Sequence, residues 1–223
     1  MSSITPVAVL DADPPLVRRA PAALKRAMDV ALAAPLLALA LPVIAVGALA
    51  IRLTDGGPAF YSQIRLGRDG RPFRLWKLRT MVRDAERMLA RRLMTDDVLK
   101  AEWTATCKLA GDPRILPGIG HLLRRYAIDE LPQLWNVLRG DLSLVGPRPL
   151  PAYHLNALDP GTRVLRRGVR PGLTGLWQVA RRDRSLAEME RLDAVYVRSW
   201  TPLLDVRLLL RTIVVLSGGR HCL

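Results

Sequence analysis

Asp129 and Glu130 stand side by side in the segment RYAIDELPQLWNVLRGDLSLVGPRP, among residues suited to phosphate chemistry. An ionised carboxylate can attack phosphorus. Two adjacent carboxylates also repel an anionic substrate, so a divalent cation and nearby guanidinium groups must offset their charge. Arg124 and Arg125 precede the pair, and Arg148 follows it, held between Pro147 and Pro149 in a rigid turn. Asp129 and Glu130 are therefore the candidate catalytic residues and the candidate metal ligands. Upstream, Lys77 and Arg79 are two residues apart and would share one face of a strand, where a paired cation could hold a diphosphate. Each feature alone has an ordinary explanation, a helix cap for the acids and a solvated strand face for the bases.

The flanking sequence suggests how these groups are positioned. Leu131, Leu134, Trp135 and Leu138 fall at helical spacing, with Asp129 as N-cap, Pro132 in the first turn and Arg139-Gly140 at the end. At a helix start the Asp129 carboxylate would stay ionised, and a phosphate could dock beside it. Aromatic and branched residues on either side of Gly67-Arg68-Asp69-Gly70 predict two short strands with a hairpin turn at Asp69-Gly70. Residues 82–109 read as a helix, with Asp84 and Glu86 early and Lys100 and Lys108 late, as the helix dipole prefers. The run from Arg170 to Val179 is a Gly/Pro-rich loop whose glycines permit close backbone approach to a ligand. It has neither the GxxxxGK[ST] nor the GxGxxG spacing. Residues 203–216 combine aliphatics with Arg207 and Arg211 and suit a helix that is buried or lies on a membrane surface.

Residues 30–51 read VALAAPLLALALPVIAVGALAI, without a charged side chain and long enough to cross a bilayer as a helix. Pro35 and Pro42 interrupt the run, and basic residues flank both ends: Arg18, Arg19, Lys25 and Arg26 before it, Arg52, Arg65 and Arg68 after it. Symmetric positive charge gives no orientation for a single crossing. A helix that enters, kinks near Pro35 and returns leaves both ends on the cytoplasmic side. Residues 1–22 read as a disordered leader, 23–52 as this re-entrant membrane helix and 53–223 as a catalytic domain on the cytoplasmic face.

The chain has 223 residues, half of them hydrophobic, with 34 Lys and Arg against 20 Asp and Glu, a formal charge of +14. Such an excess calls for anionic partners: nucleic acid, lipid head groups or phosphate-rich substrates. No run is rich enough in both Arg and aromatics for a base-stacking platform, which argues against nucleic acid. Cys107 and Cys222 lack the spacing for a disulfide framework or a zinc site. The fold class expected is α+β, mostly helical with a small β hairpin or sheet.

Taken together, KRAMD, QIRLGRDGRPFRLWKLRTM, GDPRI, IDELPQLWNVLRGDLSLVGPRP and RPGLTGLWQV make the chain resemble the bacterial sugar transferase family, the monotopic phosphoglycosyl transferases. The resemblance runs from about Lys25 to near the C-terminus and is to the minimal catalytic form. It implies transfer of a sugar-1-phosphate from a UDP-sugar to polyprenyl (undecaprenyl) phosphate at the inner membrane, with UMP released and Mg2+ near the dyad. It further implies Asp129 as nucleophile, Glu130 as its partner, and Arg148 and Arg124 on substrate phosphate. Lys77 and Arg79 match basic positions of the family, and Lys25, Arg26, Asp29 and Pro35 match the anchor and kink of the membrane helix. The lipid bilayer and downstream glycosyltransferases are the implied partners. Two departures stand out: Ala34-Pro35 where Ser-Pro is common, and Ala180-Arg181-Arg182-Asp183 where Ser-Gly-Arg-Asn is common.

Overall fold

The computed structural model describes residues 19–106, 109, 111–180 and 185–217. The leader up to residue 18, Cys107, Lys108, Cys222 and Arg181-Arg182-Asp183 lie outside the described residues. Helix α1 (Arg19–Asp55) is one unbroken helix with Pro35 and Pro42 inside it, so the helix does not end at Pro35. From Ala22 to Asp55 it is long and apolar enough to cross a membrane. Asp29, Ala33, Ala40, Ile44, Gly47 and Ile51 are buried, at helical spacing, and form a single stripe against the rest of the protein. Leu36, Leu39, Val43, Val46, Leu49 and Leu53 are exposed. The helix therefore presents one face to protein and an uncharged apolar face outward.

Both ends of α1 are fastened to the same body. Near its start, Lys25 Nζ lies 2.6 Å from Asp205 Oδ2, and Arg26 donates to the backbone oxygens of Val137 at 2.5 Å and Leu138 at 2.7 Å. Asp29 Oδ1 accepts from Ser143 Oγ at 2.9 Å and Leu144 N at 3.0 Å. At its end, Asp55 takes two bonds from the Arg79 guanidinium, at 2.5 and 2.6 Å.

Strands β1 (Phe60–Leu66) and β2 (Pro72–Leu78) form an antiparallel hairpin, with Tyr61 opposite Lys77 and Arg65 opposite Phe73. Asp69 and Gly70 turn the chain in left-handed conformation, at φ 59° and 71°. The helix expected over 82–109 is two helices, α2 (Ala85–Thr95) and α3 (Asp97–Thr106). Asp96 between them is extended, and its side chain accepts from Leu99 N at 2.9 Å, so it starts a new helix instead of continuing the old one. Helices α4 (Ile119–Arg125) and α5 (Gln133–Arg139) follow, then a second sheet in which β3 (Ser143–Val145) runs parallel to β4 (Gly172–Thr174). Between these strands lie α6 (Ala152–Asn156) and α7 (Pro160–Arg167); after them come α8 (Leu176–Ala180), α9 (Leu186–Ser199) and α10 (Pro202–Ser217). The fold is mostly helical with a little sheet, as expected, but the sheet is in two pieces.

The main core joins Ile44 and Ile51 of α1 with Leu75, Leu78, Leu123, Leu134, Val137, Leu144 and Tyr196. Packing is tight where backbones meet. A Cβ at Gly47 would stand 3.0 Å from Leu78 Cδ1, and one at Gly172 would stand 2.0 Å from Gly146 N. The glycines of the Arg170–Val179 run thus admit the backbone of Gly146, whereas the sequence suggested a ligand. Since backbone atoms cannot step aside, Gly172→Ala should destabilise the protein by at least about 2–3 kcal/mol. Thermal unfolding of the detergent-solubilised protein checks this; an unchanged midpoint would refute the close approach.

Candidate active site

The dyad is built by an unusual local turn. After α4, Ala127 adopts the left-handed conformation at φ 52°, ψ 27°, which costs a residue with a Cβ about 1–2 kcal/mol. The turn sends Ile128–Glu130 into a short 3-10 segment, and α5 begins only at Gln133, behind Pro132. Asp129 is therefore not the N-cap of the following helix. It is buried, with 8% of its surface exposed. The apolar stripe expected on that helix also shifts: Leu134 and Val137 are buried, while Trp135 is half exposed.

Lys77 reaches the dyad from β2. Its Nζ lies 2.6 Å from Glu130 Oε1 and 4.0 Å from Asp129 Oδ2. Arg124, at the end of α4, is also within electrostatic reach of Asp129, and its Nε donates to Thr80 Oγ1 at 2.9 Å. Burial pushes the Asp129 carboxyl up to about 6; Lys77 opposes the rise, Glu130 adds to it, and Arg124 opposes it less strongly. This corrects the expectation of a carboxylate held ionised by a helix start.

Arg79 does not share the dyad with Lys77. It lies just past the end of β2, where its guanidinium is taken up by Asp55 and by the backbone oxygens of Pro58, at 2.6 Å, and Met81, at 3.0 Å. It closes the end of α1 onto the hairpin and is spent on structure. Lys25, Arg26 and Asp29 fasten the other end of that helix, and Pro35 lies exposed between the two anchors.

Arg148 is placed by a separate device. The buried Arg166, on α7, pairs with Asp193 of α9 and donates to the Arg148 backbone oxygen. Gly172 N also donates to Pro147 O at 2.8 Å. Burial drops the Arg166 guanidinium to about 10. The Gly-Pro-Arg-Pro turn is thus clamped through its backbone, leaving the Arg148 side chain half-buried on an open cleft with Leu66, Gly67, Arg166 and Arg167. Sequence reading gave no role to Arg166, in a segment without a motif, or to Asp193, although Asp193 lies in the LDAVYV run (residues 192–197) that is similar to the family. It also passed over Asn136, whose amide bonds Trp76 N at 3.1 Å and Arg74 O at 2.8 Å, docking α5 onto β2. Among the described residues no group of three or more His, Cys, Asp or Glu side chains could hold a metal. Mg2+ needs only one or two carboxylates when substrate phosphate completes its shell, and the dyad fits that pattern.

A profile of the bacterial sugar transferase family matches residues 20–219. The chain is similar to the UDP-galactose-lipid carrier transferase of Erwinia amylovora, at 42% identity over 195 residues that are 86% of this chain and 40% of that protein. It is similar to exopolysaccharide production protein ExoY of Sinorhizobium fredii, at 38% identity over 200 residues, 88% of each chain. The UDP-glucose:undecaprenyl-phosphate glucose-1-phosphate transferase of Caulobacter vibrioides is 41% identical over 208 residues, 89% of this chain and 72% of that one. The chain thus spans about two fifths of the Erwinia relative's length but nearly nine tenths of the Sinorhizobium one. With matches across almost its whole length, the chain belongs to the bacterial sugar transferase family.

Proposed function

We propose that this protein is a phosphoglycosyl transferase that moves a sugar-1-phosphate from a UDP-sugar to undecaprenyl phosphate and releases UMP. The observation that carries this reading is the buried Asp129 beside Glu130 and Lys77, a carboxylate kept partly out of water next to a second acid and a cation. The printed names of the relatives describe transferases of substituted phosphate groups, which agrees with it. In the proposed reaction, Asp129 attacks the sugar-bearing phosphorus; the bond from that phosphorus to the bridging oxygen breaks, and UMP departs. The acyl phosphate so formed is then attacked by the lipid phosphate oxygen, which returns Asp129 to its carboxylate. Lys77 holds Glu130 in place and draws Asp129 toward ionisation. Arg124 and Arg148 offset charge on the donor. A divalent cation on Asp129 and Glu130 would neutralise the diphosphate as negative charge moves onto the leaving group.

Membrane placement follows from α1. Both its ends bond to the same domain, as they would if both lay on one side of the bilayer. That supports a monotopic arrangement at the cytoplasmic face of the inner membrane, with the dyad close to the interface where the acceptor's phosphate sits. The apolar outward face of α10, with Leu203, Val206, Leu210 and Ile213 exposed, supports a second contact with lipid.

Asp129→Asn should abolish UMP release from membranes given a UDP-sugar and undecaprenyl phosphate, a loss of at least about 10³-fold. Release of UDP, or retained turnover in this variant, would sink the covalent scheme. The pH dependence has a definite sign. Asp129 must be ionised to attack, so donor kcat/KM should fall with a slope of one proton as pH drops through about 6. Because its folded value is raised, the stability linked to Asp129 is fully present at low pH and lost as pH rises through about 6. Asp129→Asn should therefore gain stability over the natural protein between pH 5 and pH 8, by roughly 1–3 kcal/mol. Calorimetric unfolding at the two pH values checks the trend. Removing divalent cations with a chelator should stop nucleotide release, and adding Mg2+ should restore it.

A further inference from the structure

The face of the hairpin that carries Lys77 continues away from the dyad as a polar row. Tyr61 stands opposite Lys77, and Gln63 and Arg65 follow at alternate positions on β1, so all three project from the same side. They are linked: Arg65 donates to Gln63 Oε1 at 2.6 Å, and Gln63 Nε2 donates to the Tyr61 hydroxyl oxygen at 2.9 Å. Four residues of strand carry this row about 13 Å from the Lys77 position. The Arg65 guanidinium leans back along it toward Gln63.

At its far end the row meets the clamped turn. Leu66 N bonds Leu150 O at 3.3 Å, bringing the end of β1 against the segment that follows Arg148. Burial, and after it the positive charge of nearby Arg148, depress the Arg65 guanidinium. Among the described residues neither side chain has a carboxylate partner. The Arg65 Nε is buried and bonds to nothing. Two neighbouring guanidinium groups without an acid between them, one with a buried idle donor, repel one another until an anion is inserted. A phosphate accepts forked bonds from both. Tyr61 and Tyr153, both exposed, lie within electrostatic reach of Arg65 and offer flat surfaces beside such a phosphate.

We propose that Arg65 and Arg148 form a two-guanidinium site for the nucleotide-side phosphate of the donor, with the nucleoside lying along Tyr61 and Tyr153. The inference rests on the phosphoglycosyl transferase reading and adds a binding residue, Arg65, to it. The row would fix the donor's direction, with the sugar phosphate at Asp129 and the nucleotide toward the cleft. The same pair would hold UMP after transfer.

The test uses the full chain in lipid nanodiscs with Asp129→Asn as background, so that donor is not consumed, and titrates UMP and inorganic phosphate calorimetrically. Arg65→Ala and Arg148→Ala should each weaken UMP binding about tenfold or more, and the double variant should lose much less than the product of the two. Arg65→Lys keeps charge and fold but not the fork, and should still weaken UMP several-fold; it carries the test if Arg65→Ala unfolds. With Asp129 intact, Arg65→Lys should raise KM for the UDP-sugar and leave KM for undecaprenyl phosphate unchanged. UMP affinity unchanged by Arg65→Lys overturns the proposal. So does a rise confined to the acceptor's KM, which would assign the pair to the lipid phosphate. Turnover by Asp129→Asn alone would defeat the covalent reading while leaving the UMP titrations to judge Arg65.

Discussion

The arrangement turns on one cluster of charge: the Lys77 ammonium set against Glu130 and within reach of a buried Asp129. Removing a carboxylate from water is costly, and the upward shift of Asp129 measures that cost. Lys77 limits it, and Lys77 can do so only because β2 is fixed over the dyad. Asn136 docks α5 to that strand through two backbone bonds, and Leu78 packs against α1 at Gly47. The left-handed Ala127 completes the geometry by ending α4 early enough for Asp129 to point inward. Each of these elements is ordinary alone; together they keep a carboxylate dry within reach of Lys77 and Arg124.

The second constraint is the fastening of α1. An apolar helix bonded at both ends to one body cannot place those ends on opposite sides of a bilayer without dragging that body through it. Arg79 illustrates the economy of the design. Its sequence position two residues from Lys77 suggested a shared role with substrate, yet the structure commits it to Asp55 and the end of the long apolar helix. One strand thus supplies a cation to the dyad, and the residue just past its end ties down the long apolar helix. The dyad and the end of the long apolar helix are therefore linked through three consecutive residues, Lys77, Leu78 and Arg79.

Much of the fold was readable because local pattern decides it. The hairpin turn at Asp69-Gly70 follows from residues tolerant of left-handed backbone, and the apolar run of α1 from length and hydropathy. The dyad was legible as a motif, but its environment was not. Asp-Glu-Leu-Pro reads as a capped helix start, and only the left-handed Ala127, a residue with no such preference, moves Asp129 out of the capping position. Burial then raised the carboxyl to about 6, where a helix start would have lowered it. The clamp on Arg148 was equally hidden: Asp193 lies in the LDAVYV run, but nothing in sequence says that it meets Arg166 on a separate helix. Glycines in the Arg170–Val179 run signalled close approach correctly, but composition cannot say whether the visitor is a ligand or the protein's own backbone.

Burial of the nucleophile bears directly on the chemistry proposed. A fully solvated carboxylate is a weak nucleophile toward phosphorus because its attacking oxygen is engaged by water that must be shed. At Asp129 that water is already excluded by folding, so the cost is met by the stability of the protein and not by the activation step. Lys77 and Arg124 keep the penalty small enough for the ionised form to predominate above about pH 6. Stronger compensation would hold Asp129 in a tight ion pair and blunt its attack; weaker compensation would leave it protonated. Lys77 resolves the conflict by bonding closely to Glu130 and standing 4.0 Å from Asp129, near enough to favour ionisation and too far to claim the attacking oxygen. On this argument Glu130 serves less as a base than as the holder of that distance.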